Sequence, residues 1–163
     1  MLKASSVAAN RTPPFETYRY QPFYCEENLW WWTKGLSDAE RLSAYVLVIS
    51  NRERRAAIAL QKLGQAPVGL MIWDYHVIGL LQSHPQPVVI DLDTNGPEPC
   101  ADARWWLSTQ DRILRKVLPD FEPRFRPIPA QTYFEAFSST RNHMRDEYGA
   151  FIHPEPPWPR IRS

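Results

Sequence analysis

Three stretches of the chain combine apolar residues with a preference for β structure, and each predicts a strand. The first is AYVLVIS at Ala44–Ser50, a short apolar run typical of a buried strand. The second lies within GLMIWDYHVIGLL at 69–81, and the third is VVIDLDT at 88–94. The segment 123–129, with its alternating prolines, predicts a further extended stretch.

Other segments carry apolar residues at helical spacing. The pattern predicts a helix from Glu26 to near Gly35, with Leu29, Trp30 and Thr33 on one side and an extension or restart at 38–41. An amphipathic helix is predicted over 103–118, with Trp106 and Ile113 on its apolar side, and a short one over 131–137. The segment 52–64 is ambiguous between helix and strand. Strands and helices without a regular βαβ alternation predict an α+β fold.

Length and composition narrow the class of protein. The 163 residues predict one domain over 21–163, preceded by a flexible arm over 1–20. A net charge of +1 argues against nucleic acid or an anionic membrane as partner, and no apolar run of about 20 residues predicts a membrane helix. The start of the chain lacks the apolar core of a secretion signal, so we expect a cytoplasmic monomer whose two cysteines are free thiols.

A hairpin between the second and third strands would bring chemistry together. If 70–81 and 88–94 pair as antiparallel strands around their polar link, His76 lies directly opposite Asp91. Alternation along the strands puts Asp74 and Asp93 on the same face. An imidazole held by a carboxylate is the orienter–base pair of many hydrolases.

The nucleophile that such a pair needs has a candidate in Cys25, in YCEENLWWW at 24–32. Cys25 precedes a predicted helix, whose N-terminal dipole stabilises a thiolate. Glu26 and Glu27 are typical first-turn acids, and their charge opposes thiolate formation, so His76 must supply the activation. The tryptophan triplet at 30–32 is divided between core and pocket wall, because consecutive helical residues point in different directions.

Less specific interpretations compete with this one. A lone cysteine such as Cys25 is by default an inert buried thiol, and a histidine on a strand is often a core residue. Cys25, His76, Asp91 and Cys100 also form a conceivable zinc ligand set, but the sequence has no CxxC, HxxxH or HExxH spacing, so we expect no metal and no cofactor.

Several short motifs make the chain resemble a known family. YCEEN at 24–28, VISN at 48–51, IWDYHV at 72–77 and DLDT at 91–94 are similar to the signatures of the protein N-terminal glutamine amidohydrolase family. Further similarity runs through 125–144 and PPWP at 156–159. The resemblance implies a papain- or transglutaminase-like cysteine hydrolase with a central antiparallel sheet packed with helices. It further implies conversion of an N-terminal glutamine to glutamate with release of ammonia, a step that in eukaryotes feeds N-degron-dependent degradation.

The same resemblance implies roles for individual residues. Its nucleophile falls on Cys25, its histidine on His76 and its aspartate on Asp91. An enzyme specific for N-terminal glutamine must also bind a free α-ammonium, and the candidates for that carboxylate are Glu27, Asp74 and Asp93. The aromatic residues expected around the glutamine methylenes are Tyr24, Trp30 and Trp73.

Two other functions fit the same residues. One is a deamidase that acts on an internal glutamine of a partner protein. The other is a binding module that holds N-terminal glutamine without turnover. The requirement for a free α-amine separates the first alternative from the amidohydrolase, and ammonia release separates the second.

Overall fold

A five-stranded antiparallel sheet in the order β6-β5-β4-β1-β7 organises the computed structural model, which describes residues 18–82, 86–116 and 119–162. Its strands are β1 (Ala44–Ser50), β4 (His76–Leu81), β5 (Val88–Ile90), β6 (Cys100–Asp102) and β7 (Arg124–Pro129). The strands β2 (Ala56–Ile58) and β3 (Met71–Trp73) form a separate two-stranded sheet. The helices are α1 (Cys25–Gly35), α2 (Asp38–Leu42), α3 (Ala103–Leu114) and α4 (Ala130–Ala136). The α+β class and the central antiparallel sheet with helices are confirmed.

The two faces of the sheet carry separate hydrophobic clusters. On one face α1 and α4 cover Val46, Val77 and Leu81. On the other face α3 and the small sheet pack on Ile78 and Val89. Because side chains alternate along a strand, β4 contributes to both clusters and is buried on both sides. The first residue of α1 and the first residue of β4 are therefore both buried in the core.

The helix α1 packs on β4 through a close contact of one tryptophan with a glycine. Trp32 lies over Gly79, where an added Cβ would stand 2.7 Å from the indole Cζ3. A side chain at this position of β4 would therefore push α1 outward. The predicted α1 and β1 are confirmed, and the ambiguous segment 52–64 contains the strand β2.

The predicted hairpin is wrong in two details. The stretch 70–81 is two strands in different sheets, since β3 ends at Trp73 and β4 begins at His76, and β5 ends at Ile90. The register pairs Gly79 with Ile90 and Leu81 with Val88, which displaces the partners by two residues from the predicted pairing. A displacement of two residues keeps every side chain on its predicted face, whereas a displacement of one would reverse the faces.

The flexible arm over 1–20 stays a prediction, because residues 1–17 lie outside the described part of the chain. Tyr18 and Tyr20 do pack against the first hydrophobic cluster. Among the described residues, no helix is long and apolar enough to cross a membrane.

Candidate active site

Cys25 is the first residue of α1 and is 5% exposed. Asn28 fixes the entry into this helix, because its side chain accepts a hydrogen bond from the Gln21 N–H and donates one to the Gln21 carbonyl. Glu26 and Glu27 lie in the first turn, as predicted, where acidic side chains favour the positive end of the helix dipole. The helix start therefore presents the Cys25 sulfur to the sheet rather than to solvent.

His76 begins β4 and is held by Asp91, which follows β5. The imidazole Nε2 lies 3.0 Å from Asp91 Oδ1, and both side chains are buried. The other Asp91 oxygen accepts a hydrogen bond of 2.8 Å from Gln61 Nε2. Trp73 stacks on the imidazole with ring centroids 5.2 Å apart, and its indole N–H donates to Gln61 Oε1. The predicted contact of His76 with Asp91 is present, although Asp91 reaches it from a turn rather than from an opposed strand position.

The second ring nitrogen of His76 is buried and has no hydrogen-bond partner among the described residues. Its closest charged group is Asp93, whose Oδ2 lies 4.0 Å away. Cys25 is close to the same place, because the backbone N–H of Val77, the residue after His76, hydrogen-bonds its sulfur, and because it also feels the charge of Asp93. Nδ1 is thus a buried nitrogen without a partner among the described residues, one residue away from the backbone N–H that binds the Cys25 sulfur.

The surroundings shift the pKa values of both groups. Burial lowers the pKa of His76, but Asp91, Asp93 and Glu26 together outweigh burial and raise it above its usual value. Burial raises the pKa of the Cys25 thiol, and Glu26 and Asp93 raise it further. These shifts favour the neutral thiol of Cys25 and make the His76 imidazole more basic than usual.

The three carboxylates expected to receive a substrate α-ammonium lie in different surroundings. Glu27 is fully buried, and Arg141, Ser139 and Trp158 bind its oxygens. Asp93 is buried and accepts a hydrogen bond of 2.6 Å from the Tyr20 hydroxyl.

Asp74, the third of them, is an exposed residue between β3 and β4, and its carboxylate pairs with Arg54 at 3.3 Å. It does not lie on a sheet face with His76.

The three aromatic residues expected around the glutamine methylenes are buried or packed against other rings. Tyr24 is fully buried, and its hydroxyl has no partner among the described residues. Trp30 stacks on Phe134 and donates its indole N–H to the Phe134 carbonyl, while Trp73 covers the far side of His76.

A cavity of about 290 Å³ opens next to this site, and it is lined by the chain neighbours of Cys25 and His76 rather than by these two residues themselves. Its walls include Glu26, Tyr75, Val77, Tyr133, Phe137 and His143. Tyr133 also donates its hydroxyl to the Glu26 carbonyl, which ties α4 to the start of α1. Most of this lining was missed from the sequence, because Tyr133, Phe137 and His143 lie in the segment 125–144, which the resemblance covers but to which no site residue was assigned. Glu26 was quoted within YCEEN but was assigned only a helix-stabilising role.

One cluster of side chains has donors suited to a metal ion. One ligand atom from each of His76, Asp91 and Asp93 lies within 4.8 Å of the others, all buried. The group contains neither Cys25 nor Cys100, which the conceivable zinc set had included. Its polar atoms already bind one another, Gln61 or Tyr20.

An α+β fold with a buried thiol at a helix N-terminus and a buried, carboxylate-bound imidazole fits the class of hydrolases that act on amide bonds. The chain belongs to the N-terminal glutamine amidase family, whose model matches residues 20–163.

Relatives from several animals support this assignment. The chain is 37% identical over 157 residues to the protein N-terminal glutamine amidohydrolase of Drosophila mojavensis, covering 93% of this chain and 75% of the relative. The identity is 34% over 158 residues to the Homo sapiens protein of that name, with the same coverage. For the Caenorhabditis elegans protein it is 31% over 145 residues, covering 88% of this chain and 78% of the relative.

Proposed function

We propose that this chain hydrolyses the side-chain amide of an N-terminal glutamine, leaving glutamate and releasing ammonia, with Cys25 as nucleophile. N-terminal glutamine deamidation is the activity that its family membership gives it. The observation that carries the residue assignment is the state of His76, whose Nε2 is held by Asp91 at 3.0 Å while its Nδ1 is buried and unpaired. That nitrogen is the proton acceptor that a buried thiol requires.

The reaction proceeds in two halves. His76 Nδ1 takes the thiol proton as the Cys25 sulfur forms a bond to Cδ of the glutamine side chain. The carbonyl oxygen becomes an oxyanion, and the unpaired N–H groups of the first turn of α1 stabilise it; a donor of this kind contributes about 3–4 kcal/mol. The imidazolium then protonates the amide nitrogen, the C–N bond breaks, and ammonia leaves a thioester on Cys25.

Water completes the second half. His76 removes a proton from the water as its oxygen attacks the thioester carbon, and then returns the proton to the sulfur as the C–S bond breaks. The product is an N-terminal glutamate, and the enzyme is restored with a neutral thiol. Asp91 fixes the ring orientation and stabilises the imidazolium in both halves.

The remaining parts of the proposal concern the protein as a whole. The helix-borne cysteine and the strand-borne histidine support a papain- or transglutaminase-like arrangement within a single catalytic domain over 21–163. The described contacts complete the site within one chain, which supports a monomer. Among the described residues neither cysteine forms a disulfide, and the reaction needs a reduced Cys25, so the cytoplasm suits it.

Ammonia release from three peptides of otherwise identical sequence tests the proposal. One peptide begins with glutamine, one with N-acetylated glutamine and one with asparagine. We expect release from the first alone, and we expect Cys25→Ala to lower it by on the order of 10⁴-fold or more. Cys100→Ala is the matched control, because it removes the other buried thiol and leaves the proposed chemistry intact.

Each other result has a definite meaning. Release from the acetylated peptide as well would make the chain a deamidase of internal glutamine. Binding of the glutamine peptide without ammonia release would make it a binding module. Equal activity of Cys25→Ala and the wild type would remove Cys25 from the mechanism.

A further inference from the structure

The carboxylate nearest the proposed nucleophile is Glu26. Its Oε2 lies 3.6 Å from the Cys25 sulfur, and its side chain lines the cavity beside Cys25. The first-turn position on α1 explains this placement: the residue after Cys25 is rotated by one helical step, which brings its side chain over the cavity rather than into the core. Glu26 is 7% exposed, so its charge is largely shielded from bulk water.

The partners of Glu26 hold it in place but do not include a fixed cation. His143 Nε2 lies 3.0 Å from Oε1 and 3.1 Å from the Tyr75 hydroxyl. The His143 side chain is 47% exposed, so solvent screens its charge, and its hydrogen bond to Glu26 raises its pKa. Among the described residues, no lysine or arginine pairs with this carboxylate. A largely buried carboxylate that faces a cavity and has no lysine or arginine partner among the described residues is suited to bind a cation that enters the cavity.

The other carboxylates near the site are already engaged. Glu27 binds Arg141 through both of its oxygens, at 2.7 Å each. Asp91 binds His76 and Gln61, and Asp93 binds Tyr20. The position of Glu26 in the cavity therefore distinguishes it from its neighbours.

We propose that Glu26 receives the α-ammonium of the N-terminal glutamine and so confines the enzyme to chain termini, an inference that rests on the proposed function. The four bonds from the α-nitrogen to Cδ of glutamine span roughly 4–5 Å. A sulfur in contact with Cδ and a carboxylate oxygen in contact with the ammonium can lie about as close as the 3.6 Å between Cys25 and Glu26 when both are on the same side of the glutamine chain.

This arrangement explains selectivity by charge. An internal glutamine has a neutral amide in place of the ammonium, which leaves the Glu26 charge without this partner in a shielded site. Tyr75 and His143 act through Glu26 as positioning residues.

The test compares two peptides on each enzyme variant. One begins with glutamine, and the other is the same peptide with the α-ammonium replaced by hydrogen. In the wild type we expect kcat/KM to favour the ammonium peptide by on the order of 100-fold, as for a buried charge-assisted hydrogen bond. In Glu26→Gln the preference falls to a few-fold, mainly through KM, and Glu26→Asp restores part of it.

The ratio of the two peptides within one variant cancels any general loss of activity, including an altered Cys25. Glu135→Gln is the matched control, since it makes the same change at an exposed position of α4, and we expect it to keep the wild-type ratio. An undiminished preference in Glu26→Gln overturns the inference. Wild-type protein that releases no ammonia from the glutamine peptide is instead a failure of the proposed function.

Binding measurements on an inactive variant extend the test to proteins that release ammonia too slowly to assay. Calorimetry with the glutamine peptide on Cys25→Ala gives the reference affinity. In Cys25→Ala/Glu26→Gln we expect the affinity for the ammonium peptide to fall by on the order of 100-fold, to the level of the peptide without it. An unchanged affinity in the double variant contradicts the proposal. Circular dichroism confirms that each variant is folded.

Discussion

Glu26 and Glu27 are consecutive residues with entirely different surroundings. One helical step separates them, and it turns Glu26 toward the cavity and Glu27 into the interior. Glu27 accepts hydrogen bonds from Arg141, Ser139 and Trp158, which come from the last quarter of the chain. Glu27 therefore fastens the C-terminal region to the helix that carries Cys25.

We expect Glu27→Gln to lower the free energy of unfolding by about 3–5 kcal/mol, because the Arg141 charge stays buried without its partner. Urea denaturation measures the change. The control is Glu155→Gln, which removes the more exposed carboxylate on Arg141, 3.0 Å away, and is expected to cost about 1 kcal/mol or less. Equal effects of the two substitutions would contradict this account.

The effect of Glu27→Gln on the free energy of unfolding is expected to depend on pH. Burial raises the pKa of Glu27, but the hydrogen bonds from Arg141, Ser139 and Trp158 and the Arg141 charge outweigh burial and lower it. A depressed pKa contributes stability above the unfolded value, about 4.3, that is lost as the pH falls through the folded value. The stability difference between wild type and Glu27→Gln is therefore expected to be constant above that pH and to shrink below it.

Asp91→Asn tests the role of the carboxylate on His76. We expect kcat to fall by on the order of 10²–10⁴-fold, because the ring loses its orienter and the stabilisation of its imidazolium form. Asp91 is also a cause of the raised pKa of His76, and burial lowers that pKa, so the variant shifts it downward. The acidic limb of kcat/KM against pH, where the base becomes protonated, is then expected to move to lower pH.

The comparison variant is Asp120→Asn, which makes the same change at an exposed carboxylate 4.0 Å from Arg55. It is expected to leave both the rate and the limb unchanged. An acidic limb that stays in place in Asp91→Asn would assign that limb to a group other than His76.

At the scale of elements, the relation of α1 to β4 sets the distance between Cys25 and His76. Each of these residues begins its element, so any shift of the helix against the strand changes the site. The contact that sets this relation is Trp32 over Gly79, in the middle of both elements. The absence of a side chain at Gly79 lets the helix approach closely.

Gly79→Ala is expected to destabilise the protein by about 1–3 kcal/mol and to lower the activity further than the loss of folded protein explains. The reason is the 2.7 Å approach of the new Cβ to the Trp32 ring. Urea denaturation and ammonia release on the same preparation measure both effects. Gly35→Ala is the matched control, because nothing lies within 4 Å of its added Cβ, and it is expected to be neutral. A neutral Gly79→Ala would mean that α1 is not held by this contact.

At the scale of the whole molecule, the site depends on residues that are distant in sequence. The C-terminal region reaches it twice, because Trp158 donates its indole N–H to Glu27 at 2.7 Å and the Ile161 carbonyl accepts from the Ser139 N–H. Trp158 and Ile161 are both buried. These two hydrogen bonds therefore hold the C-terminal region against Glu27 and Ser139, next to the cavity.

Removal of residues 156–163 is expected to destabilise the protein by more than about 3 kcal/mol and to abolish ammonia release, because Glu27 and Arg141 lose their cover. Trp158→Phe keeps the aromatic ring and removes the donor, so we expect an intermediate loss of about 1.5–3 kcal/mol. Truncation after Ile161 removes the exposed Arg162 and is the control that should behave as wild type. Full activity after the longer truncation would contradict the closing role of this segment.

The sequence pattern alone was sufficient to predict those elements whose conformation depends on a short stretch of residues. The apolar periodicity predicted α1, β1 and α4 closely, and the motifs led to Cys25, His76 and Asp91. His76 still contacts Asp91 despite the displaced register, but Asp91 reaches it from the turn after β5 rather than from an opposed strand position.

The amino-acid sequence by itself determined the α+β class, the principal elements, the family and the candidate triad, since each depends on local pattern or on short motifs. Only the tertiary structure decided which of several carboxylates faces the cavity beside Cys25. Glu26 and Glu27 have the same side chain and adjacent places on one helix, and their difference comes from Arg141 and His143, which the fold brings from far along the chain. Charge compensation in a buried site is a property of packing, so it was not readable before the packing was known.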